Sequence, residues 1–172
     1  MNFGFVRVAA AVPVVRVADC EFNASRAIDL IRKSDTEGVQ VAVFPELNVT
    51  GYSCGDLFSQ SLLLEQAELA LMRILDETRQ LDIISIIGLP VVVSSVLFNC
   101  AVVCIKGKIV GVVPKTYLPN YKEFYEKRWF VPATTFAGEC MIRLCGQSVP
   151  FGTGLVFDVP GFSFGVELCE DV

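Results

Sequence analysis

The spacing of apolar positions changes period several times along the chain. Residues 3–11 are apolar but for Arg7, with Phe3, Phe5 and a run of small alanines, and read as a buried strand. From Asp19 the period lengthens. Ala24, Ala27, Ile28 and Ile31 share one helical face, and Gly38 supplies a stop. Residues 39–44 are a short β-branched strand that Pro45 ends, because proline has no N–H for a central ladder. Residues 47–59 form a loop carrying Gly51 and Gly55, with Asp56 as a candidate helix cap. Leu64, Ala67, Leu71, Ile74, Leu75 and Thr78 then mark an amphipathic helix. Residues 82–89 read as another strand, closed by Pro90. Residues 99–105 and 108–113 pair as a hairpin turning at Lys106-Gly107. Residues 116–154 read as irregular. Residues 155–159 and 162–168 form a second hairpin around Pro160-Gly161.

The early β-α-β-α-β order calls for parallel strands joined by right-handed crossovers, and the later hairpins add antiparallel ones. The fold class is therefore α/β with a mixed sheet. Two helices cannot cover both faces of six or more strands. Residues 1–172 are accordingly expected to be a truncated piece of a larger layered domain, with an uncovered sheet face that drives self-association of the piece.

Composition narrows the chemistry. The chain has 172 residues, 53% of them hydrophobic and 19% charged, which excludes disorder. Mean hydropathy is +0.55, consistent with strands buried on both faces. A net charge of -5 argues against a nucleic-acid surface or an anionic membrane as partner. The aromatic-basic stretch 117–130 is diluted by Glu123 and Glu126. No apolar run is long enough to span a bilayer, no leader is evident, and a cytoplasmic protein is expected. Seven cysteines, an odd number placed mostly in apolar runs, read as reduced thiols. Cys100 and Cys104 would lie about 13 Å apart along a strand, too far to share zinc. The histidine count is zero, so Ser-His and Cys-His catalysis is excluded and any base must be Glu, Asp, Lys or Tyr. Gly152-Thr153-Gly154 lacks the third glycine of a dinucleotide-binding turn.

Three apolar strands end in a reactive residue. Residues 39–45 deliver Glu46, residues 108–114 deliver Lys115, and residues 162–168 deliver Cys169. Ligands of α/β sheets bind at the carboxyl ends of strands. If the three strands lie side by side, a base, a cation and a thiol converge, which is a complete set for acyl transfer. Glu167, Glu170 and Asp171 crowd Cys169 with negative charge, which makes a thiol harder to ionise, and Lys115 is the compensating cation. Phe44 and Pro45 shield Glu46 from water, a setting suited to proton exchange. Lys115 and the N–H after Cys169 could hold an oxyanion.

Phe44-Pro45-Glu46 followed by Gly51-Tyr52, then Pro114-Lys115, then Cys169-Glu170-Asp171 resembles the nitrilase (carbon–nitrogen hydrolase) superfamily with its Glu-Lys-Cys triad. Thr50-Gly51-Tyr52 with Asp56-Leu57-Phe58, the run from Lys115 through Tyr121 and Glu126 to Arg128, and Leu168-Cys169-Glu170-Asp171 narrow the resemblance to the glutaminase domains of glutamine-dependent NAD synthetases. The resemblance implies an α-β-β-α sandwich, incomplete at its C-terminal side. It implies Glu46 as general base, Cys169 as nucleophile, Lys115 as the group stabilising tetrahedral intermediates, and Glu126 as a second glutamate supporting Lys115. Tyr121 and Glu170 match positions lining a glutamine pocket, with Tyr52 at its border. Glutamine is the implied substrate and a C-terminal synthetase domain the implied partner, in a homo-oligomer. The glutaminase step needs no cofactor; ATP, Mg and deamido-NAD belong to the synthetase domain, which lies outside residues 1–172. Another amide or an N-carbamoyl compound is the alternative substrate, and a non-catalytic α/β interaction module the alternative role.

Overall fold

The structure, a computed structural model, describes residues 4–135 and 138–172. Its strands are β1 (Val8–Ala10), β2 (Val41–Val43), β3 (Ile84–Val93), β4 (Val96–Ile105), β5 (Lys108–Pro114), β6 (Cys140–Leu144), β7 (Gln147–Phe151), β8 (Phe157–Val159) and β9 (Phe162–Phe164). Its helices are α1 (Cys20–Thr36) and α2 (Ser61–Glu77). The first seven strands form one mixed sheet in the order β1-β2-β3-β4-β5-β7-β6, and β8 and β9 form a separate ribbon. The β1-β2-β3 neighbours run parallel, as two crossover helices require, and β3-β4-β5 run antiparallel. The α/β class and the mixed sheet follow the expectation.

The Asp19 side chain caps α1 by accepting the Phe22 N–H at 3.1 Å. The anticipated face of α1 is fully buried, and α2 buries Leu63, Ala67, Leu71 and Ile74. Both helices lie on one face of the sheet, where alternate residues of β4 (Phe98, Cys100, Val102, Cys104) point. Each such aliphatic side chain removed from water contributes about 1.5–3 kcal/mol. The residues between them, Ala101 and Val103, point to the opposite face with Val41, Ile84, Ile86 and Val113, where Phe157 and Leu168 cover them. That cover is partial: Val43 and Val110 remain 43% and 38% exposed.

Several elements differ from the sequence expectation. Only residues 8–10 of the first segment form a strand; Phe5 is exposed and Phe3 lies outside the described residues. Pro90 does not close β3 but sits inside it, opposite Asn99. Beyond Ile86, β3 has lost its β2 neighbour, so a residue without an N–H is tolerated there. Residues 140–151 are a hairpin turning at Cys145-Gly146, both at positive φ, where irregular chain was expected. Asp56 does not cap α2, whose N-cap position is Gln60 with no side-chain cap. The second hairpin is shorter than expected and stands apart from the main sheet. The three reactive strand ends are therefore not side by side. β3 and β4 separate β2 from β5, roughly 14 Å at ordinary strand spacing. Cys169 follows β9, a strand outside the main sheet. Among the described residues no helix is long and apolar enough to cross a membrane.

Candidate active site

Glu46 is presented by a tight turn after β2. Leu47, the next residue, takes φ 53°. The turn lies directly on β3 at Gly88, where a Cβ would come within 2.5 Å of the Leu47 nitrogen and 2.6 Å of the Pro45 carbonyl oxygen. A bare glycine is what lets the two backbones approach. The Asn48 side chain clamps the same contact by accepting the Gly88 N–H at 2.9 Å. Asn23, fully buried in α1, donates to the Val49 carbonyl at 2.9 Å and ties the far end of the turn to the helix layer.

Lys115 leaves the end of β5 and is buried, its side chain 0% exposed. Its Nζ lies 2.7 Å from Glu46 Oε1 and 2.8 Å from Glu126 Oε1. Long side chains thus close the gap between β2 and β5 that the backbone leaves open. Glu126 sits in a 3₁₀ turn (Glu126–Arg128) that follows an irregular crossing, and its side chain is 1% exposed. Burial is the largest influence on the Lys115 ammonium and works to lower its pKa. The hydrogen bonds and charges of Glu126 and Glu46 together outweigh it, so the pKa is raised and the group stays charged. A buried cation flanked by two carboxylates satisfies a charge that would otherwise cost several kcal/mol to bury.

Two neutral donors complete the cluster. The Tyr52 hydroxyl donates to Glu126 Oε1 at 2.7 Å. Burial, and then the hydrogen bond to Glu126, push the Tyr52 phenol far above its ordinary range, so it remains a donor. The Asn99 side-chain amide donates to Glu46 Oε1 at 2.5 Å. In both carboxylates one oxygen takes two donors. The other oxygens differ: Glu126 Oε2 is buried with no partner among the described residues, while the Glu46 side chain keeps 19% exposure.

Cys169 opens a 3₁₀ turn (Cys169–Asp171) at φ 51°, a left-handed conformation unusual outside glycine. It is exposed, and it lines a cavity of about 120 Å³ together with Phe44, Glu46, Gly88, Glu167 and Leu168. Burial is the first cause holding its thiol above the usual value. Lys115 and the Glu170 backbone N–H pull it down, while Glu46 and Glu126 push it up. The carboxylates that matter are thus distant in sequence. Two of the three adjacent ones have partners of their own: Asp171 accepts the Thr116 and Tyr117 N–H groups at 2.9 and 2.8 Å, and Glu170 accepts the Tyr121 hydroxyl. This corrects the expectation that Glu167, Glu170 and Asp171 set the thiol.

The structure therefore brings Glu46, Lys115, Glu126 and Tyr52 into one hydrogen-bonded cluster, with Cys169 on the cavity that Glu46 lines. Tyr121 and Glu170, both exposed, pair with each other, Glu170 being next to Cys169 in the chain, and neither lines that cavity. Tyr52 holds Glu126 rather than only bordering a pocket. Sequence reasoning missed Asn99 and Asp171. Asn99 had a signal: it is the one polar side chain in the apolar run of β4, leaving aside its two cysteines. Asp56 also serves the site, accepting Arg128 Nε and Nη2 at 2.6 and 2.9 Å and Trp129 Nε1 at 3.0 Å, which joins the Tyr52 and Glu126 segments.

Comparison with known proteins identifies the family. The carbon-nitrogen hydrolase family profile matches residues 7–172. The glutamine-dependent NAD(+) synthetase of Mycobacterium tuberculosis is 42% identical over 181 residues, covering 100% of this chain and 26% of that protein. The crystal structure of a glutamine-dependent NAD(+) synthetase from Cytophaga hutchinsonii superposes with a TM-score of 0.87 at 28% identity, over 97% of this chain and 28% of that one. An amidase from Nesterenkonia sp. shares the fold, with a TM-score of 0.63 at 21% identity, over 84% of this chain and 54% of that one. The chain spans about a quarter of the length of the synthetases it matches.

Proposed function

The chain belongs to the carbon–nitrogen hydrolase family, and from that premise we propose that it is the N-terminal part of the glutamine-hydrolysing domain of a glutamine-dependent NAD synthetase. The observation that carries the reading is the Lys115 ammonium held between Glu46 and Glu126, with the Cys169 thiol on the cavity that Glu46 lines. Glu46 is the general base and not Glu126, because only Glu46 keeps an oxygen with access to the cavity.

Glu46 takes the thiol proton and the Cys169 sulfur attacks the side-chain amide carbon of glutamine. The carbonyl π electrons move onto oxygen, and Lys115 with the Glu170 N–H stabilises that oxyanion. The C–N bond breaks as Glu46 returns the proton to nitrogen, leaving a thioester and ammonia. A water then gives its proton to Glu46 and attacks the thioester, and glutamate leaves as the thiol is restored. Tyr121 and Glu170, paired next to Cys169, bind the amino-acid end of the substrate. Tyr52 acts one step back, holding Glu126.

The ammonia passes to a C-terminal synthetase domain, where it amidates ATP-activated deamido-NAD with Mg; the hydrolytic half itself uses no cofactor. The reading carries with it a cytoplasmic homo-oligomer. Its support is the 42% identity to the mycobacterial synthetase together with the cluster geometry.

A glutamine-mimicking electrophile tests both site and substrate in the full-length polypeptide carrying this chain. Peptide mapping should find Cys169 labelled ahead of the other six cysteines, four of which are buried. Glutamine should protect it, and Lys115→Met or Glu46→Gln should suppress labelling. Even labelling of Cys140, Cys145 and Cys169 would count against the triad. Faster turnover of aliphatic amides or N-carbamoyl compounds than of glutamine would move the assignment to another amidase of the family.

A further inference from the structure

We propose that Asn99 is a positioning residue that dictates which oxygen of Glu46 exchanges protons with Cys169. The inference rests on Glu46 being the base. Glu46 Oε1 receives two donors, Asn99 Nδ2 and Lys115 Nζ. No hydrogen bond among the described residues reaches its Oε2. The terminal torsion of a glutamate is broad and nearly two-fold, so one donor would leave the carboxylate free to pivot or exchange its oxygens. Two donors arriving from different strands define its plane. Lys115 cannot do this alone, because its ammonium is shared with Glu126.

Asn99 is built for the task. It is 1% exposed in β4, the strand lying between β3 and β5. Its carbonyl accepts the Lys115 backbone N–H at 2.8 Å, so one residue registers Lys115 through its main chain and Glu46 through its side chain. Its own Oδ1 is buried without a partner among the described residues. Leaving a buried acceptor unsatisfied is costly, and here the amide keeps its donor end on Glu46 at that cost. With Oε1 occupied, Oε2 is the atom left to take the Cys169 proton. The S–H bond breaks, the proton moves to Oε2, and the sulfur pair forms the bond to the amide carbon.

Asn99→Leu removes the donor at similar volume, and Asn99→Asp keeps the shape while replacing the donor by an acceptor. The groups already around Glu46 stay in place in both, namely Lys115 after β5, Glu126 beyond it, Tyr52 from the 52–59 turns, and Glu167 and Cys169 from the last segment; Asn99→Leu adds no charge, whereas Asn99→Asp adds a second carboxylate beside Glu46. In the full-length polypeptide, Asn99→Leu should lower kcat for glutamine about tenfold with KM nearly constant, because the lost interaction acts on the proton-transfer step. The acidic limb of Cys169 alkylation by iodoacetamide, followed by peptide mapping, should move to higher pH, since a carboxylate short of a donor holds its proton more tightly. Asn99→Asp should move that limb further.

Folded variants with kcat and the acidic limb both unmoved would overturn the proposal. So would a kcat loss with the limb in place, which marks a packing defect. If Asn99→Leu fails to fold, the isosteric Asn99→Asp decides. Alkylation needs no glutamine, so the two readings separate. A shifted limb in a protein inert to glutamine leaves this inference standing and sinks the substrate, whereas normal glutamine turnover with an unmoved limb does the reverse.

Discussion

The carboxylate of Asp171 accepts the backbone N–H of Thr116 at 2.9 Å, so the residue two beyond the thiol is fastened to the residue one beyond the ammonium. The Tyr117 N–H joins it at 2.8 Å, and the Leu168 N–H reaches the same side chain at 3.4 Å. One side chain thereby couples the turn that carries Cys169 to the chain leaving β5. Hydrogen bonds to a charged group are worth about 1.5–3 kcal/mol each.

Asp171→Ala should therefore loosen Cys169 relative to Lys115 and lower turnover about tenfold, while the core that α1 and α2 cover stays intact. Asp171→Asn keeps an acceptor and should lose less. Steady-state glutamine hydrolysis beside a urea unfolding curve checks this; equal activity in Asp171→Ala and the parent would show that the coupling is idle.

Replacing Lys115 has two separable effects. Lys115→Met leaves Glu46 and Glu126 without their shared cation, and breaking a buried pair costs about 3 kcal/mol or more. It also removes a charge that pulls the Cys169 thiol down. Urea unfolding at neutral pH should show the destabilisation. The alkaline rise of Cys169 alkylation should move to higher pH in the variant, and a rise at the parent's pH would disconnect the ammonium from the thiol.

Stability should fall in alkali. Burial pushes the Cys20 thiol up to about 11, with Cys54 and Asp19 adding to it, and burial with Glu68 pushes Cys145 up to about 12. Burial also holds Cys100 and Cys104 well above the ordinary range. Unfolded thiols ionise near pH 8.5. Above that pH the folded chain binds more protons than the unfolded one, so stability declines as pH rises. Lys115 acts in the same direction at higher pH. Its folded pKa is raised, so its contribution is complete below about 10.4, the unfolded value, and is lost as pH climbs through the folded one. Urea midpoints should be level from pH 7 to 8 and drop progressively toward 11. A level or rising midpoint over that range would contradict the burial of these thiols.

The reactive residues were legible because each follows a mostly apolar run that reads as a strand, although β9 itself is only partly buried. Glu46, Lys115 and Cys169 stand out at those ends, and zero histidine leaves few other bases. The helix faces of α1 and α2 were legible for a related reason: a period near 3.6 in Ala24, Ala27, Ile28 and Ile31 has one way to be buried. Asp56 was misread because a carboxylate shortly before a helix looks like a cap, and its actual partners, Arg128 and Trp129, lie more than seventy residues away. Pro90 was misread because a proline closes a strand only where both neighbours persist, and the β2 edge ends at Ile86.

By itself, then, the sequence determined the types of most elements before residue 116, the side of each helix that is buried and the candidate acid, base and nucleophile. The tertiary structure alone decided how they meet. It placed β3 and β4 between the strands bearing Glu46 and Lys115, put Asn99 into the gap, and turned Asp171 and Glu170 away to other partners. The reason is that local periodicity records which face meets water, whereas the charge a thiol feels depends on distance through a poorly polarisable interior, and distance there is set by strand order rather than by position along the chain.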